Sequence, residues 1–375
     1  MSNDSWFSGE AVFGYGADNS LNTVRDIVRS EFLVNNMYME TGVLVFLVAP
    51  VVPSHRQNFK RLTLKLKEKG FIPILRKEGD QLLIRVAVMP KTKPPRNLIN
   101  LATLAVTCVT IFYSGYTAYT NPIFTDYLLK GSNVWLNSLI FTICLLAIVG
   151  LHELGHKIIS MTKGIDATLP YFIPGFPPIG TFGAVILQRE PPVNRDELFD
   201  VGLSGPMVGF IITVMVAVIG TLYTFTVPVA QVNLWISQGY ISSIPSPLLL
   251  DLLQILLVGN NVPAGYVLIT TPIATVAWVG CLVTFLNLFP AWQLDGGHVA
   301  QAILNNKWYQ ILSIVAAIGM LLAGFWLMAL LLFFMRSPKG MEPLDNVSPL
   351  SKSRKALIPL IIAIFALCFV IFPIF

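Results

Sequence analysis

Five consecutive residues near the middle of the chain, His152-Glu153-Leu154-Gly155-His156, have a spacing suited to metal chemistry. On a helix, positions four apart lie about 40° apart around the axis and about 6 Å along it. Two imidazoles so placed can share one Zn2+ through their ring nitrogens. The carboxylate after the first histidine can be aimed at the metal's open position without ligating it, which is the place for a general base acting on water. With 4 His and 20 Asp+Glu in 375 residues, roughly 0.002 accidental matches to this pattern are expected. A catalytic zinc calls for a third protein ligand. The remaining histidines are His55 and His298. Among the carboxylates, Asp295 follows an uncharged stretch over 252–294 and is flanked by Gly296 and Gly297. An ionisable group in such a setting needs a partner. Pro290 breaks the helix before it, and the glycines let the backbone come close to a metal.

The elements that must hold these residues are membrane helices. The chain is 54% hydrophobic and only 12% charged, against about 25% charged in soluble domains. That excludes an ordinary cytosolic enzyme, a disordered chain and a nucleic-acid-binding domain. Apolar runs at about 98–119, 134–158, 204–227, 264–290, 309–335 and 356–375 predict six spans, since a bilayer core takes about 20 apolar residues per helix. Pro247–Val258 is too short to cross and reads as interfacial or re-entrant. Residues 167–187 hold Pro170, Pro174, Pro177 and Pro178 among aromatic and β-branched residues. No helix runs through that, so the segment reads as an extended hairpin dipping into the membrane, with its backbone paired or buried in protein. With this count, spans 2 and 4 run the same way and end near His156 and Asp295. Both motifs then reach one face.

The first 97 residues carry all of the net charge of +5. Residues 1–20 are read as a disordered N-terminus and 21–90 as a small soluble α/β domain. Its expected elements are a helix over Leu21–Leu33, a buried strand over Val43–Val52, a helix over Gln57–Lys69 and a strand pair, Phe71–Leu75 and Leu82–Val88. Residues 91–97 form a basic linker, and 98–375 the transmembrane domain. His55 is expected on the surface of the small domain. The basic run Lys60–Lys69 is expected to be a solvated helix face, with contact to an anionic membrane surface as the sharper reading. No signal peptide is recognised, so the N-terminus is expected to be cytoplasmic, an orientation that Lys91, Lys93 and Arg96 before span 1 support. Lys163, Arg189 and Arg195 then lie on the same side. The connection between spans 5 and 6 is the exception. It would be external, yet it holds Arg336, Lys339, Lys352, Arg354 and Lys355. The four cysteines all lie in apolar runs without metal-pair spacing and read as packing residues.

The two motifs together, His-Glu-x-x-His at the end of one span and Asn287-x-x-Pro290-x-x-x-Leu294-Asp295-Gly296 at the end of another, resemble the site-2 protease family of intramembrane zinc metalloproteases. Asn194–Pro206 is similar to that family's entry into its third span, and Gly180-Thr181-Phe182-Gly183 resembles its plastid and cyanobacterial branch. The resemblance implies an α-helical polytopic membrane protein with a membrane-associated β-hairpin. It implies one Zn2+ per chain held by His152, His156 and Asp295, Glu153 as catalytic base, and Asn287 steadying the substrate or oxyanion. The reaction implied is hydrolysis of a peptide bond in or near a transmembrane segment of another protein, in a cell membrane and with the bilayer as the other partner. Residues 228–263 are too short for the PDZ domain that many members carry. A metal-ion transporter using the same residues as a transit site is the alternative. Spans 1, 3, 5 and 6 offer no charged path for it. His298 reads more simply as a polar interfacial residue than as a partner of the metal site. Residues 167–187 read as a substrate clamp by strand addition, or as a loop that only plugs the cavity.

Overall fold

The computed structural model describes residues 18–49, 55–89, 97–241, 244–259, 262–334 and 342–371. The expected disorder of 1–20 and the basic linker therefore fall almost wholly outside the described residues, as do Arg336 and Lys339.

Helix α1 (Asp18–Glu31) leads into strands β1 (Val34–Glu40) and β2 (Val43–Val48), helix α2 (His55–Lys67), and strands β3 (Phe71–Glu78) and β4 (Gln81–Val88). The strands form an antiparallel sheet in the order β1-β2-β4-β3. Val24 and Val28 of α1 and Phe59, Leu62 and Leu66 of α2 bury against it. The strand β1 was not expected. Its Asn35-Asn36-Met37-Tyr38 stretch is polar or exposed, and it is a strand because it pairs with the apolar β2.

The membrane helices follow: α3 (Asn97–Tyr119), α4 (Val134–Thr162) and, after the hairpin β5 (Tyr171–Pro174) and β6 (Thr181–Val185), α5 (Arg195–Leu222). At 23, 29 and 28 residues, these are the three helices, among the described residues, long and apolar enough to cross a membrane. The helix α5 is well started. Asn194 caps it by accepting from the Glu197 N–H at 3.0 Å, and Asp196 and Glu197 sit in its first turn, where the helix dipole favours anions.

Residues 225–271 form a small cap. Strand β7 (Phe225–Pro228) pairs with β8 (Tyr266–Ile269), and between them lie α6 (Val229–Ser237) and α7 (Leu248–Leu257). The ten-residue α7, about 15 Å long, fits the re-entrant reading of 247–258. The expected span over 264–290 instead spends its first residues on β8, leaving α8 (Pro272–Asn287) with 16 residues. Helix α9 (Asp295–Ile303) is short, and then comes the largest departure. The expected single span over 309–335 is two helices, α10 (Asn306–Leu322) and α11 (Trp326–Phe334), packed on each other. Gly324, at φ +89°, makes the break, a backbone angle that costs a glycine little.

Beyond that pair of helices the described chain resumes beside the N-terminal unit. Leu344 and Asp345 add to the β3 edge, with Leu75 N–H donating to Leu344 O at 2.9 Å and Arg76 donating to Pro343 O at 3.0 Å. The described part of the basic 336–355 connection thus lies with the N-terminal α/β unit and not on the opposite face. In α12 (Lys352–Lys355), Arg354 forks onto both oxygens of Asp200 at 2.6 Å, and Arg56 pairs with Asp196. The last helix, α13 (Ile358–Leu367), packs on α8.

One surface expectation changes, that of His55, while the basic face of α2 stays exposed as expected and gains ion-pair partners. The side chain of His55 is only 12% exposed, 3.8 Å from Asp345 and edge-on to Phe32. The basic face of α2 is ion-paired: Lys65 and Arg61 to Glu31, Lys60 to Glu197 at 3.0 Å and Lys67 to Glu190 at 2.6 Å. The last two join the N-terminal unit to α5 and to the connection that leads into it. Burial works to raise the Asp345 carboxyl. Its contacts with His55 and with the hydroxyl and N–H of Ser348 outweigh that and hold it below the usual carboxylate range.

Candidate metal centre

Helix α4 turns His152, Glu153 and His156 inward, and all three are buried. Asp295 opens α9 in the same pocket. The Nε2 atoms of His152 and His156 lie 3.3 Å apart, and each is 3.2 Å from Oδ2 of Asp295. Three donor atoms thus form a near-equilateral triangle. A tetrahedron with bonds of about 2.0–2.1 Å has edges of about 3.3–3.4 Å, so the triangle fits three ligands of one zinc ion. Hydrogen bonding accounts for it less well. If both imidazoles donated to Asp295, both N–H groups would converge on the single Oδ2 from nitrogens only 3.3 Å apart. Among the described residues, His152, His156 and Asp295 are the group that could hold a metal ion.

The neighbouring helix α5 builds the socket. His156 Nδ1 donates to Val201 O at 2.8 Å, which leaves the Nε2 lone pair pointing into the triangle. Gly205 faces that imidazole so closely that a Cβ there would lie 2.1 Å from Nε2. Gly209, one turn on, would place a Cβ 2.9 Å from Nδ1 of His152. Gly202 does the same on the other side, 2.9 Å from Cβ of His298 and 3.0 Å from Asp295 O. Sequence reasoning singled out 194–206 but gave no role to these glycines. The signal was their spacing, which puts 202, 205 and 209 on one face of a helix.

Glu153 stays out of the triangle. Its Oε2 accepts the backbone N–H of Ile186 at 3.1 Å. Asn287 ends α8 half-buried and is not one of the converging donors. His298 turns inward against α5, its Nδ1 buried without a hydrogen-bond partner among the described residues. His55 lies with the N-terminal unit, away from this centre.

The hairpin forms where it was expected. Tyr171 pairs with Val185, Phe172 with Ala184 and Pro174 with Thr181, and an outer bridge joins Ala167 to Gln188. It is tied to α3, where Asn100 Nδ2 donates to Leu169 O at 2.7 Å and Pro170 O at 3.0 Å, and Thr110 Oγ1 donates to Gly180 O at 2.7 Å. Lys157 of α4 donates to Ala167 O. Asn100 and Thr110 were not anticipated. Polar residues recurring on one face of an otherwise apolar span were the available signal.

The fold and the site together define a membrane protein with a buried two-histidine, one-carboxylate centre and an unligated glutamate beside it. The chain belongs to Peptidase family M50, which matches residues 140–331, just over half of it. It is similar to a probable zinc metalloprotease EGY2, chloroplastic, of Oryza sativa subsp. indica, at 30% identity over 55% of this chain and 36% of the relative. The EGY2 protein of Arabidopsis thaliana is 30% identical over 43% of this chain and 28% of its own length. A probable zinc metalloprotease EGY1, chloroplastic, of the same plant is 29% identical over 43% and 29%. The matched region spans about a third of these relatives' length. No solved structure matches the chain.

Proposed function

We propose that this protein is an intramembrane zinc metalloprotease that hydrolyses peptide bonds in or near transmembrane segments of other proteins. The observation that carries the reading is the triangle of His152, His156 and Asp295 with Glu153 beside it, in a chain of Peptidase family M50. These three residues would hold one zinc ion per chain. Bound there, zinc would supply Lewis-acid polarisation of the scissile carbonyl and a water pKa lowered toward about 7. Glu153 takes the proton from the attacking water and hands it to the leaving amine. Asn287 steadies the substrate or the oxyanion. The hairpin over 167–188 holds the substrate extended by pairing with its backbone, whose groups would be costly to leave unpaired in a membrane.

The domain plan is a soluble N-terminal unit over 21–90 and a catalytic membrane domain from 98 onward. In the membrane, α3, α4, α5 and α8 cross, α10 and α11 enter and return, and α13 enters last. The N-terminal unit, the end of α4, Asp295 and residues 342–355 then share one side. Their lysines and arginines support a cytoplasmic reading of that side. The transporter alternative draws no support from the relatives, which carry zinc metalloprotease names.

The test is Glu153→Gln in the full chain. Zinc is expected to stay at about one per chain while cleavage of a membrane substrate is lost. Stoichiometric loss of zinc would mean that Glu153 is a ligand, and retained cleavage would remove it as the base.

A further inference from the structure

Glu153 has a partner that belongs to the hairpin and not to the metal triangle. Ile186 directly follows β6, and its N–H donates to Glu153 Oε2 at 3.1 Å. The direction of this N–H follows from strand alternation. Leu187 faces the hairpin's other limb, since its carbonyl accepts the Thr168 N–H at 3.0 Å and its own N–H donates to Thr168 Oγ1 at 3.0 Å. Adjacent residues of a strand present their backbone groups to opposite edges. Ile186 therefore faces away from that limb, toward α4. The hairpin is fixed by Asn100 and Thr110 of α3 and by Lys157 of α4. The place of the Ile186 amide is thus decided by two membrane helices and not by a free loop.

A buried glutamate side chain has a broad terminal torsion, so either oxygen can face a given point. One charge-assisted N–H···O bond removes that freedom. We propose that the Ile186 amide is a positioning group for the reaction: it holds Oε2 of Glu153, so that Oε1 is the oxygen presented to water and substrate. The proposal rests on Glu153 being the base. It also sets a register. Ala184 presents its backbone to the same edge as Ile186. A substrate strand added on that edge pairs with Ala184 and finds the next outward N–H already taken. Pairing stops there, and the substrate's next peptide bond is delivered to Glu153.

The test deletes the N–H alone. In the full chain, in phospholipid vesicles, Ile186 is replaced by its α-hydroxy acid, which makes an ester and keeps the side chain. A second protein carries the same change at Leu187, removing the N–H that goes to Thr168. Zinc per chain, kcat and KM are measured on a short, already extended peptide. The Ile186 ester is expected to lose about 10- to 100-fold in kcat, with zinc intact and KM within about twofold. The Leu187 ester weakens the hairpin by a bond of similar length, 3.0 Å against 3.1 Å, and is expected to act on KM more than on kcat. An unchanged kcat in the Ile186 ester, equal kcat losses in the two esters, or zinc lost from the Ile186 ester would each overturn the proposal. Activity retained by Glu153→Gln would instead refute the base assignment beneath it.

Discussion

Replacing Gly205 by Ala adds a single methyl group at the point where α5 meets the metal centre. The added Cβ would stand 2.1 Å from Nε2, 2.5 Å from Cδ2 and 2.6 Å from Cε1 of His156. Carbon atoms in contact sit about 3.5–4.0 Å apart, so the ring must retreat by more than about 1 Å. A metal site tolerates about 0.2 Å in its ligand distances. Nor can the helices simply part, because Gly155 of α4 is itself pressed against Ser204 of α5, where a Cβ would lie 2.8 Å from the carbonyl oxygen. Overpacking costs about 1–3 kcal/mol, which leaves a chain able to fold. The loss should therefore fall on the metal, and by more than the roughly 10- to 100-fold typical of residues that only support a ligand. The assay is zinc per chain by mass spectrometry on purified protein, with chelator competition for affinity and circular dichroism to show that the helices remain. Two further variants calibrate the argument. A Cβ at Gly209 would lie 2.9 Å from Nδ1 of His152, so Gly209→Ala should lose less affinity. A Cβ at Gly150 would lie 3.5 Å from Phe172, an ordinary contact, and Gly150→Ala should bind zinc normally. Full zinc occupancy in Gly205→Ala, or equal losses in all three variants, would refute the reasoning.

Asp295→Ala should lower zinc content as well as activity, because it removes one corner of the donor triangle; a zinc-replete Ala variant would move the third ligand elsewhere, to His298 first. Asn100→Ala strips two carbonyls of the hairpin of their donor, a loss of about 1–3 kcal/mol of local order. Zinc should be retained and cleavage of helical membrane substrates should fall more than cleavage of a short extended peptide, while equal losses would argue against a substrate-holding hairpin. The lowered Asp345 carboxyl stabilises the docked 342–350 segment above its unfolded value, about 3.9, and that contribution is lost as pH falls through the lower folded value. Amide protection over 342–350, measured relative to the unfolded chain at each pH, should stay flat from pH 7 to about 4 and fall below it; protection that is lost near pH 6 instead would refute control by this carboxylate.

The metal-binding chemistry was legible because it is written at short range. Helical spacing alone puts His152 and His156 on one face and leaves Glu153 beside them. The third donor was legible for another reason: a carboxylate closing a long uncharged stretch has few partners to choose from. The hairpin was readable from its prolines, which forbid helix, and from an apolarity that forbids a solvated loop. The limits of α3 and α4 followed from hydropathy, and so did the shortness of α7.

What the sequence could not decide are the contacts that join distant parts of the chain. The approach of Asp295 to His152 and His156 spans about 140 residues and depends on α5 lying between α4 and α9. Only that packing shows why Gly205 and Gly209 lack side chains, since a glycine in an apolar helix carries no mark of what presses against it. Hydropathy averages over a window and cannot see a turn inside a continuous apolar run, so α10 and α11 read as one span until Gly324 folds them together. Residues 342–345 lie beside the N-terminal unit, against β3, a contact no local pattern records. His55 looked like a surface residue for the same reason. Its neighbour Asp345 arrives from the far end of the chain, and pairing over 290 residues is a property of the packed structure, which no local pattern records.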